Sequence, residues 1–368
     1  MRHRLGGIGA ALLLTVCGCS GSGDNETPGI ALVVANSKLN FAVEMGHGFE
    51  AGVARVGGVN ATVTGPDIVD GPRQLQIFQD LKKTADDGIS VFTLNMEIFA
   101  RPIADAVAED IPIIAVDNPP LAAADVGLFI GNDNYELGRM LADLALAKMP
   151  SSATGGAASA TGGAASATGG AASAAGGGGT VVIGTSNPGA KVLDRRAKGI
   201  RERIEEKLPG VTVIGPFDTK QDTSANQAAW RTLIKANPGA LAFLGTGDAD
   251  GWNLAAIRKE IGGKWVAGAF DLDPRSLAAV KESHLVLVSP EHFVKGAVAG
   301  RIQAEHAKSG KDLPEGWIYI PGLAVSPANI DAVLARQQSV EATTQAVAAQ
   351  VDTILTDKTY LRGMENAG

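Results

Sequence analysis

Two apolar runs, at 111–116 (IPIIAV) and 265–270 (WVAGAF), each end on an acid, Asp117 and Asp271. Other polar side chains follow other apolar runs: Asn36 and Asn40 after the first, Asn95 after 89–94, Asn118 beside Asp117, and Ser186, Asn187, Asp218 and Asp248 in the second half. Carboxylates and amides form paired hydrogen bonds with neighbouring hydroxyls, and an ionised acid bonds more strongly than a neutral acceptor. The set therefore suits a small ligand rich in hydroxyl groups. Arg196, in LDRRAKGI, can reach the same region from the start of a helix, and Phe41 and Phe217 offer flat apolar faces to a ring. An open cleft would let water solvate the acids until a ligand arrives, so removing either one should cost the fold little. The same residue types also make turns and helix N-caps. For Asp117 or Asp271 taken singly, capping and ligation both stay open; Phe41 can equally be core, and Arg195 and Arg196 a solvated helix face.

Other motifs carry less. GHGFEAG, from Gly46, echoes a dinucleotide fingerprint but lies inside a helical pattern, about a dozen residues past its strand, where helix–sheet packing accounts for it. DADG, from Asp248, starts like a calcium loop, but Trp252 at position five and Lys259 at position twelve break the ligand pattern. The five histidines (3, 47, 284, 292, 306) show no paired metal-ligand spacing. No GxSxG, Walker lysine motif or cysteine nucleophile appears, so no catalytic residue, metal or cofactor is expected and the chain reads as a non-enzyme. With a net charge of −7 and no basic stripe, nucleic acid is not an expected partner.

The elements that must position these side chains alternate. Strand patterns at 30–34, 61–64, 89–94, 111–116 and 126–130 are separated by helical patterns at 41–56, 74–86 and 102–109. After a helix at 134–149 the alternation restarts: strands at 181–184, 211–214, 241–244, 265–270 and 285–288, helices at 192–206, 224–235, 252–261 and 275–281. A helix at 292–308, a strand near 317–320 and a helical tail at 329–355 follow. This predicts an α/β protein of two similar doubly wound parallel-sheet lobes joined by a hinge. Ligands bind outside the C-terminal ends of such strands, which places a ligand cleft between the lobes. The expected division is 29–131 plus about 290–313 for the N-terminal lobe and 132–289 plus about 314–368 for the C-terminal lobe.

Residues 151–179 hold three tandem ATGGAAS copies and a glycine run; this insert cannot bury a core and is expected to be disordered, on the side of its lobe away from the cleft. At the other extreme, MRHR followed by an apolar stretch shorter than a membrane span reads as a signal peptide over 1–18. VCGC (Val16–Cys19) resembles the lipobox of bacterial lipoproteins, making Cys19 the expected lipidated residue and 19–28 a tether. Both cysteines lie here, so no disulfide supports the body.

From about Ile30 to Asp331 the chain resembles the periplasmic sugar-binding proteins of the ribose-binding type, which serve ABC importers. The resemblance rests on the order and spacing of IALVVANSKLNF, VFTLN, IPIIAVDN, IGNDNYELGR, LDRRAKGI, ANPGALAFLGTGD and GAFDLDP. It implies that Asp117, Arg196 and Asp271 hydrogen-bond a sugar, with Asn95 beside them and Phe41 stacking on it. Departures from the ribose pattern point away from ribose itself: Asn118 stands where the family carries arginine, Gly247 precedes Asp248 where it carries asparagine, and SPEHF places Glu291 or His292 near its hinge glutamine. The segment from Gly65 to Asp80 also resembles the rhamnose- and autoinducer-2-binding branch. The expected function is a monomeric substrate-binding lipoprotein of the bacterial cell envelope, in the periplasm or on the outer face of the membrane, delivering a small sugar to an ABC permease. A sensory protein presenting a sugar or autoinducer-2-like ligand to a membrane receptor is the alternative.

Overall fold

The computed structural model describes residues 27–150 and 178–367. The signal segment, Cys19 and almost all of the repeat insert lie outside the described residues.

The first half lays down β1 (Gly29–Val33), α1 (Asn40–Val56), β2 (Asn60–Thr64), α2 (Gly71–Leu81), β3 (Ile89–Val91), α3 (Met96–Ala108), β4 (Ile113–Val116) and β5 (Leu128–Gly131). The second half repeats the plan with α4 (Asn134–Leu146), β6 (Thr180–Thr185), α5 (Lys191–Lys207), β7 (Thr212–Asp218), α6 (Thr223–Ala236), β8 (Ala240–Gly245), α7 (Asp248–Ile261), β9 (Val266–Phe270), α8 (Pro274–Lys281) and β10 (Val286–Ser289). Then come α9 (His292–Ser309), β11 (Gly316–Tyr319), β12 (Leu323–Val325), α10 (Ile330–Arg336), α11 (Val340–Thr356) and β13 (Leu361–Arg362). The strands form two sheets, ordered β13-β11-β5-β4-β3-β1-β2 and β12-β10-β9-β8-β6-β7. All pairings are parallel except the two edge hairpin-like pairs, β11 with β13 and β10 with β12. The central strands are buried from end to end, β4 (IIAV) and β9 (VAGAF) among them. Helices cover both faces of each sheet, which is why these strands read as unbroken apolar runs. Each lobe thus has two apolar layers, one per face of its sheet.

The division of the C-terminal part differs from the sequence expectation. Segment 314–368 does not belong to the second lobe as a unit. β11 pairs with β5 in the first sheet, β12 with β10 in the second, and β13 returns to the first. The expected tail helix is two helices: α10 packs against α8 of the second lobe and α11 against α9 of the first. The break falls at Ser339, whose side chain caps α11 by accepting from Ala342 N. The apolar periodicity continues through the break because each half buries a face, but against different lobes.

The chain therefore crosses between lobes near 131–134, 289–292, 320–323 and 336–340. Asn132 ties three of these crossings together. Its Nδ2 donates to Pro290 O at 3.0 Å and to Ile320 O at 2.7 Å, spending both amide hydrogens on neighbouring crossings. The flanks of the insert, Pro150 and Gly179, sit at the end of β6 opposite the one that faces the other lobe.

Helix α9 lies on α1 with the backbones in close approach. A Cβ on Gly48 would meet Phe293 O, on Gly52 Ala297 O, on Gly296 Met45 O and on Gly300 Phe49 O, all well inside contact distance. Two of the GHGFEAG glycines thus serve helix–helix packing; Gly46 faces Val63 of β2 instead, the helix–sheet contact expected of the motif. The second lobe repeats the device, Gly138 against Arg196 O and Gly199 against Tyr135 O. Gly48→Ala is expected to force α1 and α9 apart and destabilise the protein by about 1–3 kcal/mol or more. Urea denaturation checks this; an unchanged midpoint would contradict the close-packed seam.

Candidate ligand-binding site

The C-terminal ends of the two sheets face each other across a cavity of about 450 Å³, its open mouth included. Asp117 follows β4 and Asp271 follows β9, the fourth strand of each lobe. The two positions match in detail. Both aspartates take left-handed backbone conformations, φ 69° and 73°. Both donate their backbone N–H to the next strand, Asp117 to Ile130 O at 2.8 Å and Asp271 to Val288 O at 3.0 Å. A non-glycine residue in this region costs of order 1 kcal/mol or more and persists where the surroundings fix it; aspartate tolerates it better than most. The repeated turn carries each carboxyl off its strand and into the cavity.

Of the residues singled out in the sequence, the structure brings Phe41, Asp117, Arg196, Asp248 and Asp271 together around this cavity. Arg196 is buried: Nε donates to Asn134 Oδ1 at 2.9 Å, one terminal nitrogen to Thr246 O at 3.0 Å, and the guanidinium lies 4.5 Å from the centre of the Phe270 ring. Phe41 lies edge-on to Phe92 and 5.5 Å from the His292 ring.

Asn36, Asn40, Asn95, Asn118, Phe217, Asp218 and Glu291 are not among the cavity's lining residues. Asn36 makes a turn, its Oδ1 accepting from Lys38 N and Leu39 N at 2.7 and 3.0 Å. Asn40 opens α1, and its amide nitrogen is buried without a partner among the described residues. Asn95 sits at the head of α3, packed against Gly71. Asn118 points back into its own lobe and donates to Thr93 O at 2.6 Å. Phe217 lies on the edge strand β7 and is 38 % exposed. Glu291 is held by Arg336 of α10 through two bonds of 2.7 and 3.0 Å. For Asn36, turn formation competes with ligation and describes what is seen. For Phe217, position on an edge strand outweighs aromatic character.

The cavity also takes in residues that the sequence did not single out as ligand contacts. Ser186 and Asn187 stand out there only as polar residues after a strand; Gln221, Gly247 and the apolar wall of Phe92, Leu94, Val192 and Leu193 carry no such signal. His292 shows only as a neighbour of Glu291, and sequence reasoning missed Lys295 entirely. His292 lines the cavity, with Nε2 2.9 Å from Asp271 Oδ1. Lys295, fully buried one turn along α9, bonds Asp117 Oδ1 through Nζ. The available signal was spacing: a histidine and a lysine three apart, followed by the small and apolar run GAVAG at 296–300. Asp250, from the DADG motif, holds the neighbouring turn, accepting from Thr219, Asn226, Trp230 and Gly247 N at 2.7–3.0 Å.

The electrostatics follow from this packing. Burial pushes the Asp117 carboxyl up, but Lys295, with His292 and Arg196 behind it, outweighs burial and holds it down at about 2. Burial pushes the His292 ring down, Lys295 adding to the effect and Asp271 opposing it, which keeps the imidazole neutral at neutral pH. Burial, with Asp271, Asp273 and Glu44 nearby, raises Asp248 well above the carboxylate range. The buried Asp248 Oδ1 and Ser186 Oγ have no partner among the described residues. Both belong to residues lining the cavity, which makes them candidates for a bond to a ligand or water there.

Behind the cavity, burial raises Glu44 of α1 to about 8, helped by Asp271 and Glu291 and opposed by Arg336. A carboxyl raised in the folded state holds its proton while the unfolded chain, with its ordinary value of 4.5, releases it. The Glu44 contribution to stability should therefore be fully present below about pH 4.5 and fall as pH rises towards 8. Glu44→Gln is expected to flatten this fall and raise the melting temperature at pH 8–9; identical pH profiles for variant and wild type would contradict it.

The chain matches the periplasmic binding protein domain family over residues 30–312, and it belongs to that family. No curated protein sequence matches it. Among solved structures, it is similar to a carbohydrate transporter solute-binding protein from Agrobacterium radiobacter in complex with D-arabinose (20 % identity, TM-score 0.70, 83 % of this chain and 97 % of that one). It is also similar to an ABC transporter solute-binding protein from Burkholderia graminis C4D1M, again with D-arabinose (20 %, 0.69, 83 % and 98 %). GanP, a glucose-galactose binding protein from Geobacillus stearothermophilus, matches at 19 % identity and TM-score 0.68, covering 83 % and 99 %. At these identities the likeness shows the shared two-lobed fold.

Proposed function

We propose that this protein captures a small neutral sugar or sugar-like polyol between its lobes and delivers it to an ABC import permease, tethered to the membrane through a lipid on Cys19. The observation that carries the reading is the pair of equivalent strand-end acids, Asp117 and Asp271, converging from opposite lobes on one cavity with Arg196 and the Phe41 ring. Carboxylate oxygens accept from hydroxyls, the guanidinium donates to a ring or hydroxyl oxygen, and an aromatic face packs on C–H bonds. The solute-binding proteins it resembles hold D-arabinose or, in one from Actinobacillus succinogenes, D-allose. The charges also fit a neutral ligand: the Asp117 and Asp271 carboxyls face the Arg196 and Lys295 side chains, and burial works against a charge on His292 and on Asp248.

A thermal-shift screen tests the reading, since binding to the folded state raises apparent stability by mass action. Neutral pentoses, hexoses, deoxysugars and polyols should include at least one that shifts the transition by several degrees. Silence across that set, or a shift confined to sugar acids or amino sugars, would overturn it. The anchor is tested separately. Cys19→Ser is expected to move the protein from the detergent phase to the aqueous phase in phase partitioning, and unchanged partitioning would sink the lipid assignment.

A further inference from the structure

We infer that Lys295 and His292 are positioning residues that hold both strand-end acids from one helix: Lys295 donates to Asp117 and to His292, and His292 passes the second bond across the cleft to Asp271. The relay belongs to the ligand-free protein; only its consequence for sugar recognition rests on the function proposed above.

The geometry fixes the direction of each bond. Lys295 Nζ bonds Asp117 Oδ1 and lies 3.5 Å from His292 Nδ1. His292 Nε2 lies 2.9 Å from Asp271 Oδ1, and its Nδ1 3.9 Å from Asp117 Oδ1. An ammonium group has three donors and no acceptor. Nδ1 must therefore accept, and the ring hydrogen sits on Nε2 and is donated to Asp271. A single tautomer satisfies all three bonds. The titratable and charged groups facing Asp117 are Lys295 and His292 of α9 and Arg196 of α5; those facing Lys295 are Asp117, Arg196 and Asp271. Those facing His292 are Lys295, Asp271 and Asp117.

The relay leaves each acid with one oxygen held and one open. Among the described residues, no hydrogen bond reaches Oδ2 of Asp117 or of Asp271. Fixing Oδ1 sets the plane of the carboxylate and so the direction in which Oδ2 meets a hydroxyl, a pre-organisation that removes part of the ordering cost of binding. Lys295 itself is absent from the cavity lining and acts only through Asp117 and His292.

The test needs no ligand. In wild-type protein, nitrogen-15 NMR at pH 7–8 should show His292 as the neutral Nε2–H tautomer. Carbon-13 carboxyl NMR should show no Asp117 titration above about pH 4. In Lys295→Met, burial should prevail and bring the Asp117 midpoint up by at least one unit. In His292→Gln, whose amide can both accept and donate, the Asp117 midpoint should rise less than in Lys295→Met. An Nδ1–H tautomer in the wild type, or an Asp117 midpoint unmoved by Lys295→Met, would overturn the relay. The tautomer measurement decides the matter even if Lys295→Met fails to fold. Failure of every sugar to bind would leave these readouts as they are, so the relay and the sugar reading fail separately.

Discussion

Asp117→Ala is expected to lower the stability of the ligand-free protein by about 3–5 kcal/mol, because it leaves the ammonium of Lys295 buried without its counter-charge. Lys295 is fully buried and Asp117 is 4 % exposed. This reverses the expectation drawn from the sequence, in which an acid solvated by an open cleft contributes little to the fold. Asp117→Asn combined with Lys295→Met should recover most of the loss, since neutral replacement of both partners of a buried pair is often tolerated. The pH dependence has a defined sign. A carboxyl depressed from 3.8 to about 2 contributes stability that is present above the unfolded value and lost as pH falls through about 2. Urea denaturation of the single and double variants provides the measurement. A single variant as stable as wild type, or a double variant no better than Asp117→Ala, would show that the pair does not act as a unit.

Asp271→Ala is expected to weaken sugar affinity at least tenfold while costing the fold less than Asp117→Ala does. Its hydrogen-bond partner is the ring of His292, and it faces the buried Arg196 and Lys295 without a direct ion pair to either, so its removal should disturb the buried cations less than breaking the Asp117–Lys295 contact does. In a bound complex its open oxygen would accept a charge-assisted hydrogen bond, worth about 1.5–3 kcal/mol, and roughly 1.4 kcal/mol corresponds to a decade of affinity. Calorimetry on wild type and variant, with whichever neutral sugar gives the largest thermal shift, checks it. Unchanged affinity with lowered stability would make Asp271 a structural residue only.

Much of the fold was legible because its signals are local. Two cycles of apolar strand and amphipathic helix gave two lobes, and a bare acid after IPIIAV and after WVAGAF marked the strand ends that face the cavity. Those acids, Arg196, Asp248 and Phe41 could be found because each lies within a few residues of a strand end or helix start. What could not be read depends on packing between distant segments. Periodicity does not say which lobe a helix joins, so the division of 314–368 and the break at Ser339 were hidden. Lys295 is 178 residues from Asp117 along the chain, and in isolation it reads as an ordinary surface lysine. Asn36 and Asn118 carry the same chemistry as the cavity residues, yet backbone groups at Lys38, Leu39 and Thr93 take up their side chains. Residue type alone cannot separate a ligand-facing amide from a turn-forming one.

The clamp itself is tested most directly by the crystal structure of the protein with the neutral sugar selected by thermal shift. The sugar should lie between the lobes with one hydroxyl within about 3 Å of the open oxygen of Asp117 and another as close to that of Asp271, while Lys295 and His292 keep their present bonds. A sugar bound elsewhere, or bound in the cleft with neither carboxylate touching it, would contradict the account.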